Sequence, residues 1–308
     1  MIKRITRALM FIIIIVIGAI CLLDILIPDR PIIIGNISYD EISYIYNGEL
    51  KFTDETGKEE SNFHLVIPVP IDFWGLQIPF LKKFVSQGFT NTFWSLNGES
   101  LGLLFSTDYP AARFPALLTA DNKLLTCPTE DGPNTNYIYP IQVVNDNNIL
   151  INLAENDSEK LVIYNMETCD TEKIFYQGTK IHTFSLSSKF WLAVNEEVDG
   201  DLMLNVYDNT QNLVLSINAP DYYEFITWSK DGEKLLYRIS NGINDDYIYI
   251  YDFATGETTK IAQNVYKASF SPNGKQLVVY TTNGLFIMDL NTLQRRYLTN
   301  GINPDWRP

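Results

Sequence analysis

Two histidines, three cysteines and a surplus of carboxylates are the residues of this 308-residue chain that could do acid–base, nucleophilic or metal chemistry. The histidines do not read as catalysts. His64 lies in the strand-like run Asn62-Phe63-His64-Leu65, and His182 stands two residues before Phe184. Neither has an activated serine to serve, because no Gly-x-Ser-x-Gly elbow is present. A pair of histidines also falls short of a three-histidine zinc site, and there is no Gly-rich phosphate loop. Of the cysteines, Cys21 sits in an apolar run. Cys127 and Cys169 have no Cys-x-x-Cys spacing. They read as two separate thiols or, in an oxidising compartment, as a pair.

The carboxylates are grouped. Glu155, Asp157 and Glu159 form one group, Glu196, Glu197, Asp199 and Asp201 a second, Asp245 and Asp246 a third. The second group surrounds a glycine with acids, a pattern that could hold Ca²⁺, although it is too short and ill-spaced for an EF-hand loop. A solvated turn is the plain alternative. Formal charge over the whole chain is −14, and beyond residue 30 there are 19 basic residues against 35 acidic ones. Such a surface repels nucleic acid and anionic headgroups, so neither is expected as a partner.

The elements that must position these groups come from a repeated phrase. Phe270-Ser271-Pro272-Asn273-Gly274-Lys275 reads as strand, tight turn, strand: proline presets one φ, and Asn-Gly tolerates positive φ. Trp228-Ser229-Lys230-Asp231-Gly232-Glu233 repeats it, Phe93-Trp94-Ser95-Leu96-Asn97-Gly98-Glu99 is a further copy, and Phe184-Ser185-Leu186-Ser187-Ser188-Lys189 is a worn one. Degenerate copies start at Val143 and at Pro304. Anchors at 94, 143, 184, 228, 270 and 306 give a period near 40, with several short alternating strands in each unit. That is the signature of an all-β propeller of about six four-stranded blades. Val265–Phe270, Lys275–Thr281, Leu285–Leu290 and Arg295–Leu298 are the expected strands A to D of the clearest unit.

The chain ends just after the last anchor, which leaves a strand A without partners. Glu41–Tyr46, Leu50–Thr53 and Phe63–Ile67 supply the missing strands, with Asn47-Gly48 as a hairpin turn. The ring is therefore expected to close by pairing N-terminal strands with the C-terminal one. Residues 37–308 make the propeller. Residues 67–87, rich in proline and aromatics, fit the plan poorly and read as an insertion with a short helix at Leu81–Val85.

Ahead of the propeller, Ala8 to Leu23 is uncharged and apolar, and the run continues past Asp24 to Ile27. Residues 8–27 are long enough to cross a bilayer as a helix. Lys3, Arg4 and Arg7 precede the run, so residues 1–7 are expected in the cytoplasm and the propeller outside, after a stem at 28–36. A cleaved signal peptide and a lipoprotein signal at Cys21 are the alternatives, against which stand the long apolar core and Ile20 before the cysteine. Asn36-Ile37-Ser38 and Asn156-Asp157-Ser158 match the glycosylation triplet.

The aromatic-Ser-Pro-Asn/Asp-Gly phrase, followed by an apolar strand and the Ile287-Met288-Asp289-Leu290 strand, resembles the TolB-like propeller repeats. These also occur in the propeller domains of prolyl oligopeptidases and dipeptidyl peptidases. The likeness is strong over residues 228–308 and weaker over 88–227. The α/β domain that precedes a TolB propeller finds no pattern before Trp94, and the peptidases' hydrolase domain has no counterpart.

In a four-stranded blade the A–B and C–D turns share one face, and the B–C and D–A loops the other. The B–C stretches are 155–159, 196–201, 240–246 and 281–284; they hold nine acids and no lysine or arginine. The A–B turns carry Lys189, Lys230, Lys234 and Lys275 instead. Hence the B–C face is the expected binding face, through Glu155, Asp157, Glu196, Glu197, Asp199, Asp201, Asp245 and Asp246, for a protein or peptide partner with a basic segment. This reading makes the chain a non-enzymatic binding module of the cell envelope. A Ca²⁺-dependent hydrolase or lactonase, with carboxylates from several blades meeting at the channel, is the alternative. A structural subunit of a membrane complex is another.

Overall fold

The computed structural model describes residues 32–34, 42–47, 49–57, 59–73, 76–86, 88–106, 113–121, 123–127, 141–155, 158–218, 222–240 and 246–308. The expected membrane helix at 8–27 and both glycosylation asparagines lie outside them. The chain divides into two compact units, one within Met1–Asn36 and Phe63–Gln87, the other within Ile37–Asn62 and Gly88–Pro308.

In the first unit β1 (Ile32–Ile34) pairs antiparallel with part of β4 (Glu59–Phe73), Ile33 opposite Leu65, and β4 pairs antiparallel with β5 (Leu76–Ser86). This corrects the helix expected at Leu81–Val85. Lys82, Lys83, Phe84 and Val85 face Pro70, Val69, Pro68 and Ile67 across a sheet. Five residues close too few helical bonds to repay nucleation, and the β-branched and aromatic residues of both segments favour extended chain. Pro68 and Pro70 are two apart, so their missing N–H groups fall on one edge of β4.

The second unit is a six-bladed propeller of four-stranded antiparallel blades. Blade 1 runs β6 (Gly88–Trp94), β7 (Leu101–Ser106), β8 (Arg113–Leu118), β9 (Leu124–Thr126) from the axis outward. Blade 2 is β10 (Ile141–Val143), β11 (Asn148–Glu155), β12 (Ser158–Asn165), β13 (Asp170–Gly178). Blade 3 is β14 (Ile181–Leu186), β15 (Leu192–Val198), β16 (Asp201–Tyr207), β17 (Leu213–Asn218). Blade 4 is β18 (Tyr222–Trp228), β19 (Lys234–Ser240), β20 (Tyr247–Asp252), β21 (Glu257–Gln263). Blade 5 is β22 (Lys267–Phe270), β23 (Gln276–Thr281), β24 (Gly284–Asp289), β25 (Arg295–Thr299). The sixth blade is mixed, as the sequence predicts: C-terminal β26 (Ile302–Trp306) pairs with N-terminal β2 (Ile42–Tyr46), then β3 (Glu49–Thr53), then β4. Ile42 faces Trp306 across the junction.

The repeated phrase is a turn built on its serine. At Ser271 the backbone N–H donates to the Gln276 carbonyl at 2.9 Å, and the hydroxyl oxygen accepts the Gln276 N–H at 3.0 Å. Gly274 takes φ +66°, which the turn demands. Ser229 and Lys234 repeat the arrangement, with bonds of 3.0 and 2.9 Å. The worn copy at Ser187 keeps the serine bond to the Trp191 N–H, and Phe190 takes the positive φ that glycine supplies elsewhere.

Blades stack through their apolar faces. Between blades 4 and 5, Leu236 and Ile248 pack on Ala268, Phe270, Leu277 and Val279, all buried. Between blades 2 and 3, Leu150, Leu161 and Ile163 pack on Phe184, Leu192 and Val194. Each such side chain contributes about 1.5–3 kcal/mol by leaving water. Cys127, after β9, is bonded to Cys169 in the turn after β12, with Cα atoms 5.6 Å apart. Of the two readings open in sequence, the disulfide is the one found. It ties blade 1 to blade 2.

Candidate functional site: the axial cavity

Strand alternation decides what faces the axis. On β22, Ala268 and Phe270 are buried between blades, so Lys267 and Ser269 turn inward. On β26 the inward residues are Asn303 and Asp305, on β6 Asn91 and Phe93, on β14 Thr183 and Ser185. Gln142 and Thr227 complete the ring, and together they enclose a cavity of about 430 Å³. Its wall continues to Ser95, Ser188, Ser229 and Lys230, so the cavity reaches the A–B turns. The cavity thus reaches the face opposite the one expected to bind.

Much of the polar lining is spent on closing the ring. Asp305 accepts the Trp94 backbone N–H at 2.8 Å through Oδ2 and the Ser269 hydroxyl at 2.9 Å through Oδ1. One carboxylate thus spans β22, β26 and β6, the three inner strands around the N- to C-terminal junction. Gln142 is used similarly between blades 2 and 3, donating to the Leu186 carbonyl at 2.6 Å and accepting its N–H at 2.5 Å. Trp228 Nε1 donates to the Ser185 carbonyl at 3.0 Å, joining blades 3 and 4.

Lys267 is used differently. Its Nζ donates to Asn91 Oδ1 at 2.7 Å and lies 5.3 Å from the centre of the Phe93 ring. Lys267 is partly exposed as a residue, and the loss of water around its ammonium lowers its pKa below the ordinary lysine value, against the pull of Asp305. Burial likewise raises the Asp305 pKa above the ordinary carboxylate value, opposed by Lys267 and by the bonds from Trp94 and Ser269. Both groups lean toward neutrality.

The acidic groups singled out in sequence are dispersed. Glu155 lies on β11 and Glu159 on β12; Asp157 and Asp245 lie outside the described residues. Glu196 and Glu197 are on β15 rather than in a loop, because the hairpin turn is only Asp199-Gly200, closed by Val198 opposite Asp201. Glu196 is 3% exposed and accepts hydrogen bonds from Tyr176 at 2.7 and 2.9 Å, Tyr207 at 3.0 Å and Asn205 at 3.0 Å. Burial raises the pKa of both tyrosines, which keeps them donors. Glu197 pairs with Lys180 at 3.2 Å and Asp246 with Arg238 at 2.6 Å. Asp199 and Asp201 are exposed. Among the described residues no three His, Cys, Asp or Glu side chains gather as a metal-holding group. His182, half-buried on β14, has its pKa lowered chiefly by burial.

Lys267 and Asp305 escaped the reading of the sequence. The signal was present: each is a charged residue in an inner strand, at the alternate position to an apolar one that packs between blades.

No model of a known protein family matches the chain, and no curated protein matches it. Solved structures do. TolB from Acinetobacter baumannii aligns with a TM-score of 0.57 at 16% identity, over 87% of this chain and 66% of that one, just under two thirds of its length. A nidogen/laminin complex aligns with a TM-score of 0.53 at 8% identity, over 87% of this chain and 98% of that one. At such identities the likeness is one of fold, and the fold is the β-propeller that the repeats predict.

Proposed function

We propose that this chain is a membrane-tethered propeller of the extracytoplasmic space that docks a protein or peptide segment, and that it binds rather than catalyses. The observation that carries this reading is the axial cavity. Its wall is a mixture of hydroxyls, amides, two lysines and aromatic rings, and its one carboxylate side chain, Asp305, is engaged in closing the ring. Such walls, polar at a few points and otherwise apolar, suit a bound segment. A metal-dependent hydrolase needs carboxylates from several blades to converge, and the wall offers one. Partner binding also fits the nidogen/laminin complex, a similar fold solved with another protein.

The disulfide between Cys127 and Cys169 supports an oxidising compartment, and the apolar run at 8–27 behind Lys3, Arg4 and Arg7 supports the tether. At the B–C rim the exposed Asp199 and Asp201 offer a place for a basic stretch of the same partner.

Photocrosslinking tests the docking. A photoreactive residue at Thr227, in the cavity wall, is expected to trap one discrete protein adduct on the intact membrane. The same residue at Val214, exposed on β17, is the control. Identical adducts from both positions, or none from Thr227, would refute docking in the cavity. Protease added to sealed, right-side-out vesicles should digest the propeller and spare a short N-terminal fragment; full protection would refute the location.

A further inference from the structure

The docking reading leaves open what the cavity recognises, and one group in its wall has spare valence. Lys267 carries three N–H donors. One goes to Asn91 Oδ1 at 2.7 Å, and the ammonium lies near the Phe93 ring. Among the described residues the other two N–H groups meet no hydrogen-bond acceptor. Asp305 does not supply one, because its two oxygens are turned to Ser269 and to the Trp94 backbone. A partly buried ammonium with unspent donors costs stability unless water or a ligand completes it. The space beside it, about 430 Å³, is that of a small-ligand site.

We propose that this cavity binds a carboxylate, presented by the docked segment as a chain terminus or an acidic side chain, on the ammonium of Lys267. The inference rests on the docking reading above. Charge selects the ligand class. Lys267 with Asp305 nearby suits a monoanion; a phosphate dianion calls for several cations or backbone donors gathered together, whereas the wall's second lysine, Lys230, is exposed near the A–B turns. A cationic ligand is opposed by Lys267 itself and finds Asp305 already bonded. The hydroxyls of Ser185 and Thr227 share the wall of the same cavity. Lys230 adds positive charge near the A–B turns.

The test uses the full chain in detergent and two random tetrapeptide pools without Asp or Glu, one with free C-terminal carboxylates and one amidated. A third, amidated pool carries a single internal Glu, and succinate is the free-acid probe. Binding is read by affinity selection with mass spectrometry, and by the tryptophan fluorescence of Trp94 and Trp306. The expected result is retention of the free-acid pool or of the Glu pool, at least tenfold above the amidated pool. Lys267→Met should abolish that difference, with the fold checked by circular dichroism. Equal retention of all pools would overturn the carboxylate assignment and leave docking standing. Binding of succinate without any peptide would uphold the carboxylate and overturn docking. Failure of every probe would overturn both. The pool comparison uses the native chain, so it stands even if Lys267→Met does not fold.

Discussion

Glu196 and Lys267 are both charged residues held within the propeller, and they are treated in opposite ways. Glu196 is enclosed by donors from its own blade and from β13: two phenols and one amide make four contacts of 2.7–3.0 Å. Adding a Cβ at Gly178 would bring it to 2.8 Å from Glu196 Oε2, so nothing else can approach there. Lys267 has one acceptor and an open cavity beside it. A saturated buried charge fixes structure; an unsaturated one facing a cavity is reserved for something that arrives. The acidic residue that drew attention in sequence is the structural one, and the lysine that did not is the one left open.

The largest expected effect falls on both regions alike. Cys127→Ser with Cys169→Ser removes the tie between blades 1 and 2, across a sequence separation of 42 residues. Stability in urea is expected to fall by about 2–4 kcal/mol. The loss should leave the contrast between the two sites intact, since neither touches the bridge. A change confined to cavity binding, with stability unmoved, would break this account of the ring.

Glu196→Ala comes next. It takes the carboxylate acceptor from Tyr207 and Asn205 and leaves Tyr176 only the Tyr207 hydroxyl oxygen at 3.1 Å, at an expected cost of about 2–3 kcal/mol. Binding in the cavity should not change. A stability loss below about 0.5 kcal/mol would show that Glu196 is not the saturated charge described here.

Much of this architecture was legible because propeller repeats write their turns in glycine, proline and serine at a fixed period. The A–B turns at Ser95, Ser229 and Ser271, the strand order of the last two units and the mixed closing blade all follow from that text. Site chemistry was less legible because loop length is not fixed by composition. Two-residue hairpin turns drew Glu196 and Glu197 into strand β15, where register, not charge, decides their partners. Leu81–Val85 was expected as a short helix for a related reason: five residues do not declare their own structure, and pairing with Ile67–Pro70 makes this stretch a strand. The cavity residues come together from six separate inner strands, and no local pattern announces that meeting.

Lys267→Met sharpens the comparison through pH. The folded-state pKa of Lys267 lies below its unfolded value, so between the two the unfolded chain binds more protons. Stability should therefore rise with pH across that window, as the ammonium's burial cost is relieved on the way up to 10.5. Asp305, whose folded pKa is raised, acts with the other sign: stability falls as pH climbs from 3.8 through its folded value. Lys267→Met should remove the alkaline rise, keep midpoint stability at neutral pH within about 1 kcal/mol or improve it, and also deepen the acidic fall, because Asp305 loses the neighbouring cation that holds its pKa down. Denaturant midpoints at pH 4 to 10 read all three. A large loss at neutral pH would place Lys267 among the structural charges, with Glu196.

The smallest effect belongs to the rim. Asp199 and Asp201 flank an exposed turn in which a Cβ added at Gly200 meets nothing within 4 Å. Asp199→Asn with Asp201→Asn should change stability by no more than about 0.5 kcal/mol. If a basic stretch of the partner passes this rim, the double variant slows its association a few-fold at low salt and leaves dissociation unchanged, because exposed charges steer encounters more than they hold complexes. Association that is indifferent to both salt and substitution would take the acidic rim out of the binding surface and leave the cavity, with Lys267, as the site that carries recognition.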